Sequence, residues 1–160
     1  MCSVSHTKIP HIGPAGSTTI PDKYLPVVSR SLKLLQAKMR NAKSCNDDFS
    51  TLPGGKTFRE LFDNAAIWVN YDPLNNGSLW GWTMPTAFPN DVVLTQYPLR
   101  MGYWSTAATI VHELAHLNGA DGTTHAAEHT VKSCLMKSKG GPYDPNIIGR
   151  VVHRRVSAIV

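Results

Sequence analysis

The stretch AATIVHELAHL, residues 107 to 117, constrains the fold more than any other part of the chain. From 110 to 117, Ile110, Val111, Leu114, Ala115 and Leu117 fill most faces of a helix and leave three polar positions: His112, Glu113 and His116. Residues four apart on a helix point the same way, so the two imidazoles can offer ring nitrogens to one point in space. Glu113 then lies about 100° around the axis from His112. Ser105 or Thr106 is expected to cap this helix, and Gly119 to end it in the left-handed C′ position. A single histidine on an apolar helix is usually a satisfied core residue. Two at this spacing, with a carboxylate in the second slot, call for a metal.

Tetrahedral Zn²⁺ takes imidazole nitrogen at about 2.0–2.1 Å, a demand that the i, i+4 spacing meets without distorting the helix. The expected assignment is His112 and His116 as ligands of one zinc per chain, with Glu113 as a general base facing the metal's water. A catalytic zinc normally has three protein ligands. The following segment, HLNGADGTTHAAEH, offers Asp121, His125, Glu128 and His129, and Gly119 and Gly122 permit the chain to turn back toward the metal. His125 is the preferred third ligand because it follows both glycines and opens the next helix; Glu128 is the alternative. With His125 on the metal, Glu128 is placed to accept a proton from that ring or from His129.

The rest of the chain reads as one globular domain. Residues 1–21 have no apolar period and are expected to be an irregular lead-in. Leu25, Val28, Leu32, Leu35 and Met39 then draw one stripe along a helix. After a loop ending in LPGGK, Thr57 and Glu60 form a capping box for a short helix through Phe58, Leu61 and Phe62. Residues 65–71, AIWVNYD, and 91–97, DVVLTQY, read as strands, the second stopped by Pro98. Between them NNGSLWGW carries turn chemistry, and its tryptophans Trp80 and Trp82 read as loop packing before a substrate groove. A last helix is expected over about 125–138, with Ala127, Val131, Cys134 and Leu135 inward and Gly140-Gly141 at its end. The tail after Pro145 is expected to add a strand or an arm.

Sixteen Lys and Arg against eleven Asp and Glu leave +5, but the basic residues are dispersed, so a solvated surface is expected and a nucleic-acid partner is not. Cys2, Cys45 and Cys134 fit neither a metal knuckle nor a disulfide framework and allow at most one bridge. No window approaches a membrane span, and the first residues lack the apolar core of a signal peptide. The expected location is cytoplasmic, or outside the cell by a leader-independent route.

The motif places a resemblance on these residues. His112 to His116 matches the HExxH signature of the zinc metallopeptidases called zincins. The order of DVVLTQY, the loop before the helix, TIVHELAH and a Gly-Thr pair is similar to the aspzincins, which include deuterolysin and the peptidyl-Lys endopeptidases. In that branch a Gly-Thr-x-Asp-x-x-Tyr segment supplies the third ligand, and Gly122-Thr123-Thr124-His125-Ala126-Ala127-Glu128 falls at its spacing, with His125 replacing the Asp and Glu128 the Tyr. Three histidines resemble the metzincin set, whose HExxHxxG opening matches His112 to Gly119, although His125 comes three residues later than that pattern would put it. Met136 is comparable to a metzincin Met-turn, and Tyr143, downstream as zincin tyrosines often are, is a candidate oxyanion stabiliser.

The resemblance implies an α+β fold, a compact zincin-like domain. Its parts would be a backing helix at about 22–43, a small sheet with an edge strand such as 91–97 along the cleft, the HExxH helix and a short C-terminal helical part. It implies peptide-bond hydrolysis on a protein or peptide substrate. Small size and the absence of a recognisable leader or pro-segment point to a bacterial effector or toxin domain, with an immunity or inhibitor protein as a second partner. Two other functions share these residues: a zinc amidase of cell-wall peptides, and a silent zincin-fold binding module.

Overall fold

The structure is a computed structural model that describes residues 1–75 and 77–135; Met136, Gly140-Gly141, Tyr143 and the tail after Pro145 lie outside the described residues. It is an α+β domain in which helices pack on a four-stranded mixed sheet of order β1-β2-β4-β3. The strands are β1 (Ser3–Val4), β2 (Trp68–Asp72), β3 (Gly81–Met84) and β4 (Phe88–Thr95). Neighbours run parallel from β1 through β2 to β4, and β3 closes the order antiparallel to β4. From Asp91 to Thr95 every residue of β4 is buried, and the same holds for β2 from Val69 to Asp72. Strands covered on both faces read as continuous runs rather than alternating ones, which is why both were visible in the sequence.

The lead-in is part of the fold. Ser3 and Val4 pair with Trp68 and Val69, Thr18 bridges Tyr71, and Cys2 and Ile20 are buried. His11 lies flat on Trp68, with ring centroids 4.5 Å apart, and meets Asp91 at 2.9 Å. Backbone pairing of a polar, Pro- and Gly-rich segment leaves no periodicity for a sequence to display.

The helical stripe from Leu25 to Met39 packs as expected, with Val28, Leu32 and Leu35 buried, but the backing helix does not run from 22 to 43. A 3-10 turn (Asp22–Tyr24) leads into α1 (Leu25–Leu34), which widens into a π turn (Leu35–Met39) and ends. A second helix, α2 (Lys43–Ser50), occupies what the sequence presented as loop and buries Cys45 and Phe49 one turn apart. α3 (Phe58–Asp63) opens on the Thr57/Glu60 capping box, with both reciprocal bonds present.

The strand expected at 91–97 starts at Phe88 and stops at Thr95, whose hydroxyl caps α4 (Gln96–Met101). Pro98 therefore does not stop a strand. It sits in the first turn of a helix, where a missing N–H costs nothing. β4 is flanked by β2 and β3, so the expected edge strand is interior, and the edges belong to β1 and β3. Trp80 packs edge-on against Tyr97 at 5.2 Å and the Trp82 indole donates to Asp72 at 2.9 Å, in keeping with packing roles.

α5 (Tyr103–Leu117) is the HExxH helix, and α6 (Ala126–Leu135) follows it. A disulfide joins Cys45 of α2 to Cys134 of α6, and Cys2 is left as a buried thiol whose pKa burial pushes up to about 12. Among the described residues no helix is long and apolar enough to cross a membrane.

Candidate metal centre on helix α5

Gly102, not Ser105 or Thr106, caps α5, with φ at 108°, a conformation that side-chain-bearing residues rarely adopt. Thr106 and Thr109 lie within the helix and turn their hydroxyls onto carbonyls one turn back, Thr106 to Gly102 and Thr109 to Ser105. The C-terminal end matches the sequence reading. Gly119 has φ at 87°, its N–H donates to the His116 carbonyl at 3.0 Å, and the Ala120 N–H reaches the Ala115 carbonyl at 2.9 Å. Satisfied carbonyls at this end hold the last turn of α5, the turn that carries His116.

Asn118, 1% exposed, anchors that end to the rest of the molecule. Its side-chain nitrogen donates to the carbonyls of Phe49 at 2.8 Å and Lys56 at 2.7 Å, its side-chain oxygen accepts from the Lys56 N–H, and its carbonyl accepts from Gly54. Gly54 passes so close that a Cβ there would lie 2.4 Å from the Asn118 side-chain oxygen. Asn118→Ala would strand two carbonyls and an N–H, so urea unfolding should show a loss of about 2–4 kcal/mol. A change within ~0.5 kcal/mol, the range of an ordinary surface substitution, would remove Asn118 from this role.

The imidazoles converge as the helical spacing requires. His112 Nε2 and His116 Nε2 are 3.1 Å apart, the rings stand at 74° to one another, and both side chains are half-buried. His116 Nδ1 lies 2.8 Å from the Ala120 carbonyl, and that carbonyl can only accept. A proton therefore sits on His116 Nδ1, and its Nε2 faces His112. Burial, followed by the neighbouring His116 ring, pushes the His112 pKa down to about 3, so this ring is neutral across the physiological range.

Glu113, 4% exposed, turns to the sheet. It accepts a hydrogen bond from the Thr83 side chain and packs its carboxyl against Gly81, where a Cβ would stand 3.0 Å from Oε1. Burial pushes its pKa up to about 8, the Thr83 bond opposes this, and the negative Glu128 on α6 adds to the rise. Among the described residues no basic side chain pairs with it.

Two of these side chains, His112 and His116, have a separation that a divalent cation could bridge. Two zinc-bound nitrogens in tetrahedral geometry stand about 3.3 Å apart, close to the separation found here. A cation between two inward-facing Nε2 atoms would occupy the lone pairs and offset the cost of a buried, unpaired carboxylate one residue away.

The remaining candidates are not gathered at the pair: among the described residues no group of three His, Cys, Asp or Glu side chains is set to hold a metal. His125 immediately precedes α6, as expected, but with φ at 55° and a side chain 54% exposed, its Nδ1 being 3.9 Å from Glu128. Glu128 is the more enclosed of the two, at 16% exposure. His129 turns away to Asp48 of α2 at 3.2 Å, and Asp121 is engaged by the N–H and hydroxyl of Thr123. Sequence reasoning missed Thr83, Gly81 and Asn118. An asparagine directly after the apolar helix was a visible clue to the last, whereas Thr83 and Gly81 meet Glu113 only through tertiary packing.

Comparison with known proteins adds no relative: no family model, no curated protein and no solved structure matches the chain.

Proposed function

We propose that the chain is a zinc-dependent metallopeptidase in which His112 and His116 hold the metal and Glu113 carries the proton. What supports this most directly is the convergence of two imidazole nitrogens to 3.1 Å, one residue from a buried carboxyl group. Bound zinc supplies Lewis acidity, drawing the pKa of a water toward ~7 and polarising a carbonyl. Glu113 takes the proton of the attacking water on a carboxylate oxygen and returns it to the leaving amine. The Ala120 carbonyl holds the His116 ring in the tautomer that presents Nε2. The third donor comes from the opening of α6: His125 by its spacing, with Glu128 as the alternative favoured by enclosure.

An extended peptide is the substrate class that the sheet favours. β3 lies at the end of the strand order with one side unpaired among the described residues, and it runs past Glu113. Backbone pairing to such an edge binds a chain without reading every side chain. The Cys45–Cys134 bridge favours an oxidising compartment and so a protein delivered out of the cytoplasm, in keeping with a secreted effector and an inhibitory partner.

Metal analysis of the purified chain tests the reading. About one zinc per chain is expected, lost on His112→Ala or His116→Ala, together with cleavage of denatured protein. Of His125→Ala and Glu128→Ala, the one that removes the third ligand should weaken zinc binding by ~100-fold or more, beyond the tenfold lower bound for losing a supporting contact. Digestion of purified cell wall in place of protein would move the assignment to an amidase. Failure to retain zinc at micromolar concentration would end it.

A further inference from the structure

We infer that a cavity on α4 is a subsite for an acidic side chain, glutamate above all, of a peptide laid along the Gly81 end of β3, and that Arg100 sets this specificity. The inference deepens the peptidase reading and rests on it for cleavage of such a peptide, but not for its binding. Gln96, Tyr97, Arg100 and Met101, all on α4, line a cavity of about 380 Å³. Cavities that take small ligands begin at about 300 Å³, so one long side chain fits with room for its backbone. Connectivity sets this cavity beside the candidate site. The Trp80 ring packs edge-on against Tyr97 at 5.2 Å, and Trp80 is the residue before Gly81. Gly81 marks the point where β3 passes Glu113, since a Cβ there would stand 3.0 Å from Glu113 Oε1. The Trp80 carbonyl accepts from the N–H of Thr95, the residue that caps α4, at 3.1 Å. The Tyr97 ring therefore lies no more than about five residues of extended chain from Gly81, at ~3.3 Å a residue.

The lining selects the charge. Arg100 is exposed, takes part in no ion pair among the described residues, and shares the cavity wall with no acidic residue. Its planar guanidinium matches a carboxylate with paired N–H donors. Met101, 49% exposed, offers apolar surface to the methylenes of the incoming side chain, of which glutamate has one more than aspartate. The Gln96 side-chain nitrogen donates to the Tyr24 hydroxyl at 3.0 Å, which ties one wall of the cavity to the rest of the molecule. The formal charge of +5 draws an acidic chain toward the protein as a whole, and Arg100 gives that attraction a place.

Peptides of serine and alanine, blocked at both ends and carrying one central glutamate, glutamine or lysine, are the probes. Titrated into the full chain and followed by NMR, the glutamate peptide should bind about fivefold tighter than the glutamine peptide, the upper end for an exposed ion pair, and should shift the Arg100 side-chain N–H resonance. Arg100→Ala should bring the two peptides within about 1.5-fold of each other, and Arg100→Glu should favour the lysine peptide. In hydrolysis by the zinc-loaded protein, the glutamate peptide should have the lower KM with kcat little changed, and the cut should fall at one fixed distance from the glutamate, no more than about five residues away. Equal binding of the glutamate and glutamine peptides, an unmoved Arg100 resonance, or a preference that survives Arg100→Ala would each overturn the inference. If the glutamate peptide binds with this preference but no peptide is cut, the function proposed above fails and the subsite stands. If peptides are cut with no preference for glutamate, the function stands and the subsite fails.

Discussion

Glu113→Gln is expected to lower peptide hydrolysis by ~1,000-fold, within the 10²–10⁴ range for a positioned general base, while zinc content stays near one per chain. The amide has nearly the volume of the carboxyl, so the packing against Gly81 is preserved. The substitution also removes a group whose burial disfavours its charged form, so the melting temperature should not fall. A collapse in stability would make loss of activity uninformative. A well-folded, zinc-loaded Glu113→Gln protein that still hydrolyses peptide would assign proton transfer elsewhere. If native and substituted proteins behave alike in every assay, the chain is better described as a binding module.

The parts of this molecule that sequence could disclose are those whose pattern is local. α5 is legible because its apolar set repeats on helical spacing and the chain ends it with Gly119. α3 is legible because a capping box is a contact between residues three apart. α2 is not, because KSCNDDFS buries only Cys45 and Phe49, and their partners lie elsewhere in the chain, Cys134 on α6 and Phe58 on α3. β3 is obscured for a similar reason. Gly81-Trp82-Thr83-Met84 follows turn-forming residues, and its extended state is imposed by pairing of Gly81 with Leu94 and Trp82 with Val93.

The candidate site divides along the same line. His112, Glu113 and His116 lie within one turn, so helix geometry alone aims them, and the structure places both Nε2 atoms together. The third ligand depends on how the 118–125 turn and α6 return toward α5, and loop closure of that kind follows from packing rather than from any short pattern. His125 and Glu128 can be named from sequence, but choosing between them is a question of tertiary position.

Removing the disulfide as the pair Cys45→Ala and Cys134→Ala should cost about 4–5 kcal/mol of stability, because the bridge spans 89 residues and the chain-entropy cost of closing such a loop is of that size. For a chain of this length that corresponds to a fall of about 10–20 °C in melting temperature. The effect should extend to the metal. α6 carries Glu128 and follows directly on His125, and its other polar ties to α2 are partly solvent-exposed: Ser133 and His129 to Asp48, and the Ser44 hydroxyl to the Ser133 carbonyl. Exposed contacts of this kind contribute little each, so once the bridge is open α6 should leave α5 more readily and zinc affinity should fall with stability. Reduction of the native protein under non-denaturing conditions should reproduce both losses, and reoxidation should reverse them. If the double variant melts within ~2 °C of the native chain and binds zinc equally well, α6 is held by its apolar face alone, through Ala127 and Val131 in the core, and the bridge contributes nothing to the site.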